Sequence, residues 1–562
     1  MSRLIVLSNR VKMPDNHPMA GGLAVALQDV LIGKSVVWMG WNGEVVNDNS
    51  ANNTDAANTF SSIQQRFMAS NKAKTRATQI TYITTAFTTQ QYQHFYCGFA
   101  NNVLWPLLHE QTALISQATD DYAGYQAVNR LFARQLKSII QPDDVIWVHD
   151  YHFLSVAYHC RKLGINNRIG LFLHIPFVAL DFWQQLKQSA ELIHHLAHYD
   201  VLGTQTQQGC TNCVDVFQHY LKDRLSKNRL SEERVEKESV DKEDVLANSL
   251  AENSDVGLTP INILQKNQPF THTYPYHSSG TALTLNLDFK PQHCLLINAY
   301  PIGINVARIQ QQVSQLASSL PAHLTQHRAY KKTDKTTTQQ IIAVDRIDYS
   351  KGLLRRFLAY RDFLEHYPSY QNQLQLLQIA CPSRLDLPTY QRLYQEVKQT
   401  VSDINQQFAP TAGTWQAIKY SENVLNHEPL MAAFWQSDIG WVNSLKDGMN
   451  LVAKEYIAAQ NPDDPGVLML SRYAGAAEQM QTAVIVDPHQ PTSMIAGLRT
   501  ALTMPLKERQ LRYQALLQGL HQDDLYAWQQ RFLDDLYLDG RYDNKKRSAD
   551  DGALDAIQMS DS

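Results

Sequence analysis

The sequence predicts an α/β protein built on doubly wound parallel sheets, and three observations carry that expectation. Short, nearly continuous apolar runs alternate with longer segments of helical pattern along the 562 residues, as strands covered on both faces require. Most neighbouring runs are far enough apart to leave room for a crossover helix. Polar and charged residues collect just after the runs, where the carboxyl ends of parallel strands would lie.

In chain order the runs cover residues 4–7, 145–148, 169–173 and 295–297, then 341–344, 374–379, 439–442, 467–470 and 483–486. Three segments fall outside the pattern. Residues 222–245 carry 15 charges of both signs in 24 positions, and with their continuation through 257 they predict a mobile insertion. Residues 326–340, with three consecutive threonines and several lysines, predict a loop. The polar tail 539–562 predicts a frayed end. Just before it Leu525, Trp528, Phe532 and Leu536 recur at helical spacing, predicting an amphipathic C-terminal helix docked by that face.

Composition narrows the function. Hydrophobic residues make up 44% and aromatics 9%, enough to build large cores and to exclude a mainly disordered chain. With 50 Lys+Arg against 54 Asp+Glu the net charge is −4. No broad basic surface for nucleic acid or anionic membrane follows, so any anion site must be local. No run approaches the ~20 apolar residues of a membrane span, and the run at 4–7 is too short for a secretory signal. A soluble cytoplasmic protein is expected. Six cysteines are too sparse for a disulfide framework, and Cys210 and Cys213 lack the second pair of a zinc site, so a structural role is expected for them.

The residues that follow the runs suggest the chemistry. Ser8, Asn9 and Arg10 follow the first run, His149 and Asp150 the second, and His174 the third. In the second half Asp345 and Arg346, then Arg384, then Lys446 and Asp447 stand in the same relation to their runs. Taken singly each is an ordinary loop charge; together they form a constellation at one face of each sheet. Arg10, Arg346, Lys351 and Arg384 are candidate anion holders. Gly21-Gly22 before an apolar helix start, and Asp447-Gly448-Met449-Asn450 before Leu451, would let backbone N–H groups approach a phosphate. Glu455, just inside that second helix, could accept ribose hydroxyls. The G-x-G-x-x-G pattern is absent, so no NAD or FAD enzyme is predicted. His194, His195 and His198 lack the glutamate of a helical zinc motif and predict a packed helix face.

These residues belong to longer motifs that resemble a family. Ser8-Asn9-Arg10, Gly21-Gly22-Leu23, Trp38-x-Gly40-Trp41, Leu104-Trp105-Pro106, Trp147-Val148-His149-Asp150-Tyr151-His152 and Phe172-Leu173-His174-Ile175-Pro176-Phe177 are similar to retaining glycosyltransferases of the trehalose-6-phosphate synthase type. So are Tyr300-Pro301-Ile302-Gly303-Ile304, the segment from Asp345 through Lys351 to Leu353, and the segment from Asp447 through Glu455 to Tyr456. The resemblance implies a GT-B architecture, two Rossmann-like domains facing across a cleft, with the C-terminal helix crossing back to the N-terminal domain. The implied boundaries are 1–302 for an acceptor domain containing the 222–257 insertion, 303–522 for a nucleotide-sugar domain, 523–538 for the returning helix and 539–562 for the tail.

The implied reaction moves glucose from UDP-glucose to glucose-6-phosphate with retention, giving α,α-trehalose-6-phosphate and UDP. Alternatives within the fold are ADP-glucose or glycerol-3-phosphate as substrates, or a catalytically silent homologue. By the resemblance, Arg346 and Lys351 hold the donor diphosphate. Leu451, Val452, Ala453, Lys454 and Glu455 supply amides and the ribose acceptor, while Gly21 and Gly22 approach from the other domain and Leu425 lies near the uracil. Asp447 and His174 bind the transferred glucose. Arg10, Tyr96, Asp150 and Arg384 hold the acceptor, and Trp105 and Ile175 select its anomer. Lys446 stands where arginine often precedes the Asp-Gly, which keeps the charge without the planar fork. With Arg346 and Lys351 on the leaving group, no metal and no cofactor are expected. A homo-oligomer, dimer or tetramer, is expected as well.

Overall fold

The chain is described by a computed structural model at residues 3–11, 35–47, 61–69, 76–226, 280–319, 338–411 and 413–538. Each expected apolar run becomes a strand, and among the described residues the strands form two sheets. The first contains β1 (Leu4–Arg10), β2 (Ser35–Val46), β3 (Ser61–Ala69), β4 (Arg76–Thr88), β5 (Val145–His149), β6 (Ile169–Phe172), β7 (Val201–Thr204), β8 (Thr281–Leu287) and β9 (Lys290–Ala299). Their order is β3-β4-β2-β1-β5-β6-β7-β9-β8. Only the edge pairs β3–β4 and β8–β9 are antiparallel. The second sheet contains β10 (Gln339–Arg346), β11 (Leu374–Cys381), β12 (Ile418–Ser421), β13 (Ile439–Val442), β14 (Val467–Ser471) and β15 (Val484–Val486), in the order β12-β11-β10-β13-β14-β15. All its pairings are parallel.

Strand order reverses at β1 in the first sheet and at β10 in the second. Such switch points open a crevice outside the carboxyl ends of the strands. Central strands are buried throughout, as in β5, β6, β13 and β14, which is why they appear as unbroken apolar runs. The edge strand β8 instead alternates exposed and buried positions.

The four apolar positions near the C-terminus lie on one buried face of a helix, Leu525–Tyr537. It returns to the first sheet because glycines there leave room for it. A Cβ on Gly170 or Gly203 would come within 2.9 or 2.8 Å of the Phe532 ring. Arg168 Nε donates to the Leu536 carbonyl at 2.7 Å and the Tyr300 hydroxyl to Asp535 at 2.6 Å.

One expectation is corrected. The loop drawn through 340 ends earlier, because Gln339 and Gln340 begin β10 in register with Leu374 and Gln375. Their amides are satisfied by Gln373 and Asp438, so polar side chains are accommodated at the strand start. The rest of that segment, the tail and most of the charged insertion lie outside the described residues. The insertion's first residues form one 3-10 turn, Lys222–Arg224, ending where Leu225 bridges to Leu285 of β8. No helix among the described residues is long and apolar enough to cross a membrane.

Candidate active site

The carboxyl ends of the two sheets bring most of the expected residues to one cleft. On the first sheet Arg10 closes β1, exposed, with its guanidinium carbon 5.7 Å from the centre of the Trp41 ring. Asp150 follows β5 in the left-handed region, φ 74°. Its Oδ1 accepts the His174 amide at 3.1 Å. Burial pushes this carboxyl up to about 7, against the pull of the His174 and Tyr151 amides and of Arg384 and Arg346. His174 and the buried Ile175 follow β6. Tyr96 lies on a π-helical segment, Tyr92–Leu104, a geometry often found at functional sites. Its ring stacks on His152 at 6.1 Å and on Tyr92 at 5.4 Å.

On the second sheet Arg346 closes β10 and is exposed. Lys351, in the turn Tyr349–Lys351, is ion-paired with Asp447 Oδ2. The same oxygen accepts from Ser444 Oγ at 3.0 Å and Asn450 Nδ2 at 3.1 Å. Burial opposes the Asp447 charge, but Lys351 and Asn450 hold the carboxyl below its ordinary range. Arg384 follows β11 with φ 50°. Its Nη1 donates to Asp348 at 2.8 Å and to the Tyr390 hydroxyl at 2.9 Å. Asp348 is fully buried, yet Arg384 and Arg346 hold it well below the carboxylate range.

The helix α-region that follows Asn450 is short, Leu451–Ala458. Asn450 caps it by accepting the Ala453 amide at 3.2 Å, so Leu451 and Val452 present the open amides of the first turn. The amides of Lys454 and Glu455 fall inside the helical ladder. The Lys454 side chain is fully buried, its Nζ bonded to the Ile302 carbonyl and to Gln479 at 2.7 Å each, and serves to tie the helix to the segment leaving the first sheet. Burial pushes Glu455 up to about 7. Among the described residues its carboxylate has no hydrogen-bond partner. Leu425 is half-buried between β12 and the helix His427–Gln436. Gly21 and Gly22 lie outside the described residues.

The two sides touch. Trp105, 5% exposed, receives Arg384 over its ring at 3.9 Å and Arg346 at 5.6 Å. Arg384 also reaches the Tyr151 hydroxyl at 3.4 Å. A Cβ on Gly448 would lie 2.2 Å from the His174 carbonyl oxygen, so only glycine allows this loop so close to the opposite sheet. Lys446 pairs with Glu110 at 2.6 Å, and the Tyr92 hydroxyl donates to Asp386 at 2.6 Å.

Asp348, Tyr390, Tyr151 and Glu110 were not singled out as site residues. Asp348 lay within a quoted motif, but its role depends on Arg384, 36 positions on, a pairing that spacing does not reveal. Glu110, Asp150, Arg384 and Asn450 share positive φ values of 50–80° at the cleft; this strain leaves no mark in composition. His194 and His195 lie on the helix Ser189–Leu196 and His198 in the turn after it, so the expected helix face holds two of the three; all three pack with Tyr158, the His195 and Tyr158 rings 3.9 Å apart. Among the described residues no group of three or more His, Cys, Asp or Glu is placed to hold a metal.

Comparison with known proteins finds relatives over nearly the whole chain. The model of glycosyltransferase family 20 matches residues 7–268 and 278–538. A trehalose-6-phosphate synthase of Klebsiella pneumoniae is 35% identical over 537 residues, covering 95% of each chain. A solved E. coli structure bound with UDP-2-fluoro glucose is 33% identical, covers 96% of this chain and 99% of that one, and has a TM-score of 0.74. A Burkholderia xenovorans α,α-trehalose-phosphate synthase (UDP-forming) in complex with glucose-6-phosphate is 32% identical, covers 95% and 100%, and has a TM-score of 0.72.

Proposed function

The chain belongs to glycosyltransferase family 20, and from that premise we propose that its cleft transfers glucose from UDP-glucose to glucose-6-phosphate with retention, forming α,α-trehalose-6-phosphate and UDP. The observation that carries the reading is the placement of Arg346 and Arg384 over one tryptophan, Trp105. One cation serves the donor diphosphate and the other the acceptor 6-phosphate, so the two sugars meet between them.

Breaking the anomeric bond develops negative charge on the leaving diphosphate. Arg346, Lys351 and the open amides of Leu451 and Val452 stabilise it, and fixed donors do so most strongly in the transition state. Lys351 exchanges its contact with Asp447 for the diphosphate, which frees Asp447 for a glucose hydroxyl. Glu455 accepts the ribose hydroxyls, Leu425 adjoins the base, and Gly21 and Gly22, outside the described residues, are assigned to the diphosphate. Arg10, Tyr96, Asp150 and Arg384 hold the acceptor, with Trp105 and Ile175 selecting its anomer. With Lys351 on the diphosphate, Asp447 still accepts from Ser444 and Asn450, and Asp150 accepts the His174 amide, so neither of these two carboxylates is left without donors as a nucleophile. Front-face attack, with a leaving-phosphate oxygen accepting the acceptor's proton, fits that arrangement.

The division at 302/303 into acceptor and nucleotide-sugar domains, a cytoplasmic location and a homo-oligomeric state belong to the same proposal. So does metal independence. The test measures UDP and ADP release from each nucleotide glucose with glucose-6-phosphate, glycerol-3-phosphate or no acceptor, with and without EDTA. UDP release that needs glucose-6-phosphate and survives EDTA is expected. Release with another pair shifts the substrates, and none in any combination marks a silent homologue.

A further inference from the structure

His149 ends β5 with no exposed surface. Its Nδ1 lies 3.0 Å from Nε2 of His174, while its Nε2 is buried without a hydrogen-bond partner. The Trp147 ring sits 4.5 Å from it, and Trp147 is in turn packed by Trp528 and Phe532 of the returning helix, each at 5.2 Å. Burial keeps both imidazoles neutral at physiological pH, pushing His174 down to about 3 and His149 well below its ordinary value.

Two neutral rings joined in this way share one proton between the facing nitrogens, and there are two ways to place it. With the proton on His174 Nε2, His149 must carry its own on Nε2, as a buried N–H with nothing to accept it. Orphaned buried N–H groups are rare and costly. With the proton on His149 Nδ1, the group left unpaired is a bare lone pair among aromatic rings, and His174 carries its proton on Nδ1. His174 is half-buried, and its Nδ1 has no partner among the described residues, so that N–H is offered to the cleft.

We propose that His149 is a positioning residue that holds His174 in the Nδ1–H tautomer, making it a hydrogen-bond donor to a hydroxyl oxygen of the transferred sugar. The inference rests on the donor-site reading above and adds a polarity to it. The hydroxyl facing His174 accepts from the ring and must send its own proton elsewhere. A sugar group that can only donate is rejected at that position.

The test uses the full chain with 15N-labelled histidine and the variants His149→Met and His149→Gln. Two-bond proton–nitrogen spectra, with His174 assigned from His174→Gln, are expected to show the His174 proton on Nδ1 in the wild type. His149→Gln, whose amide can donate to Nε2, keeps it there; His149→Met gives a mixture of tautomers. In kinetics, His149→Met is expected to lower kcat/KM for UDP-glucose about two- to ten-fold, the worth of one hydrogen bond. Across UDP-sugars each lacking one hydroxyl, that loss disappears for a single member, the one missing the hydroxyl that His174 meets. A wild-type His174 proton on Nε2, or an equal loss with every donor, overturns the proposal. Spectra of the free protein need no turnover, so a chain inactive on every donor would overturn the glucosyl-transfer reading and still leave the tautomer decided.

Discussion

Replacing Arg384 by lysine tests the acceptor site most sharply, because the structure separates what lysine keeps from what it loses. The guanidinium makes an ion pair with Asp348, a bond to the Tyr390 hydroxyl, a longer one to Tyr151, and stacks 3.9 Å over Trp105. Lysine keeps the charge and can hold Asp348, but a single ammonium cannot stack on Trp105 and reach a phosphate at the same time. The expected loss is one charge-assisted bond to the 6-phosphate, about 1.5–3 kcal/mol, or roughly ten- to a hundred-fold in kcat/KM for glucose-6-phosphate. A coupled assay of UDP release against acceptor concentration measures it, with unphosphorylated glucose as the control acceptor. The slow rate on glucose should be unchanged, so that preference for the phosphorylated sugar falls by the whole factor. Equal losses on both acceptors, or full activity on glucose-6-phosphate, would refute the assignment of Arg384 to the phosphate.

Other consequences are measurable. Gly448→Ala places a Cβ against the His174 carbonyl, and the loop must back away; a rate loss of roughly ten- to a hundred-fold with unchanged circular dichroism is expected, and full activity would show that the loop can shift freely. Trp528→Ala removes a fully buried ring packed on Trp147 and Phe172, which should cost about 3–5 kcal/mol in urea unfolding; a loss under ~1 kcal/mol would mean that the returning helix is not docked as described. Burial pushes His109, His152, His159, His174, His195, His198 and His293 down to about 3 or 4. From the unfolded value of ~6.5 downwards the unfolded chain therefore binds more protons, so stability is lost as the pH falls. Asp150 and Glu455, raised to about 7, act in the opposite sense but are outnumbered. A melting temperature lower by roughly 10 °C or more at pH 5 than at pH 7.5 is expected; a flat or rising profile would contradict the burial of these rings.

The sheets were legible mainly where strands are buried on both faces, with the short buried β7 the exception. The runs at 145–148 and 439–442 carry unbroken apolarity because every residue in them is buried. β2, β3, β4, β7, β8 and β12 were missed for different reasons, β3 because its sequence is largely polar and β7 because, though buried, it is only four residues long. β2 is interrupted by Gly40 and Gly43, β4 is rich in threonine, β8 alternates because one face meets solvent, and β12 is four residues long. The site was legible to the extent that strand ends predict it, and Asp150, His174, Arg346 and Arg384 all stand there. What joins them was hidden. Lys351 meets Asp447 across 96 positions of sequence and Glu110 meets Lys446 across the cleft; the first pair exists only once β10 and β13 lie side by side, the second only once both sheets are in place. Lys454 shows the reverse: a residue inside a site motif whose side chain is buried as a cross-link.

The most direct measurement is proton NMR of the wild-type chain with UDP-glucose and glucose-6-phosphate together and each alone. Expected is a pair of α-anomeric signals from one α,α-linked disaccharide phosphate, growing in step with UDP and only when both substrates are present. A β-linked product, or UDP accumulating at the same rate without glucose-6-phosphate, would contradict retaining transfer between two substrates held in one cleft.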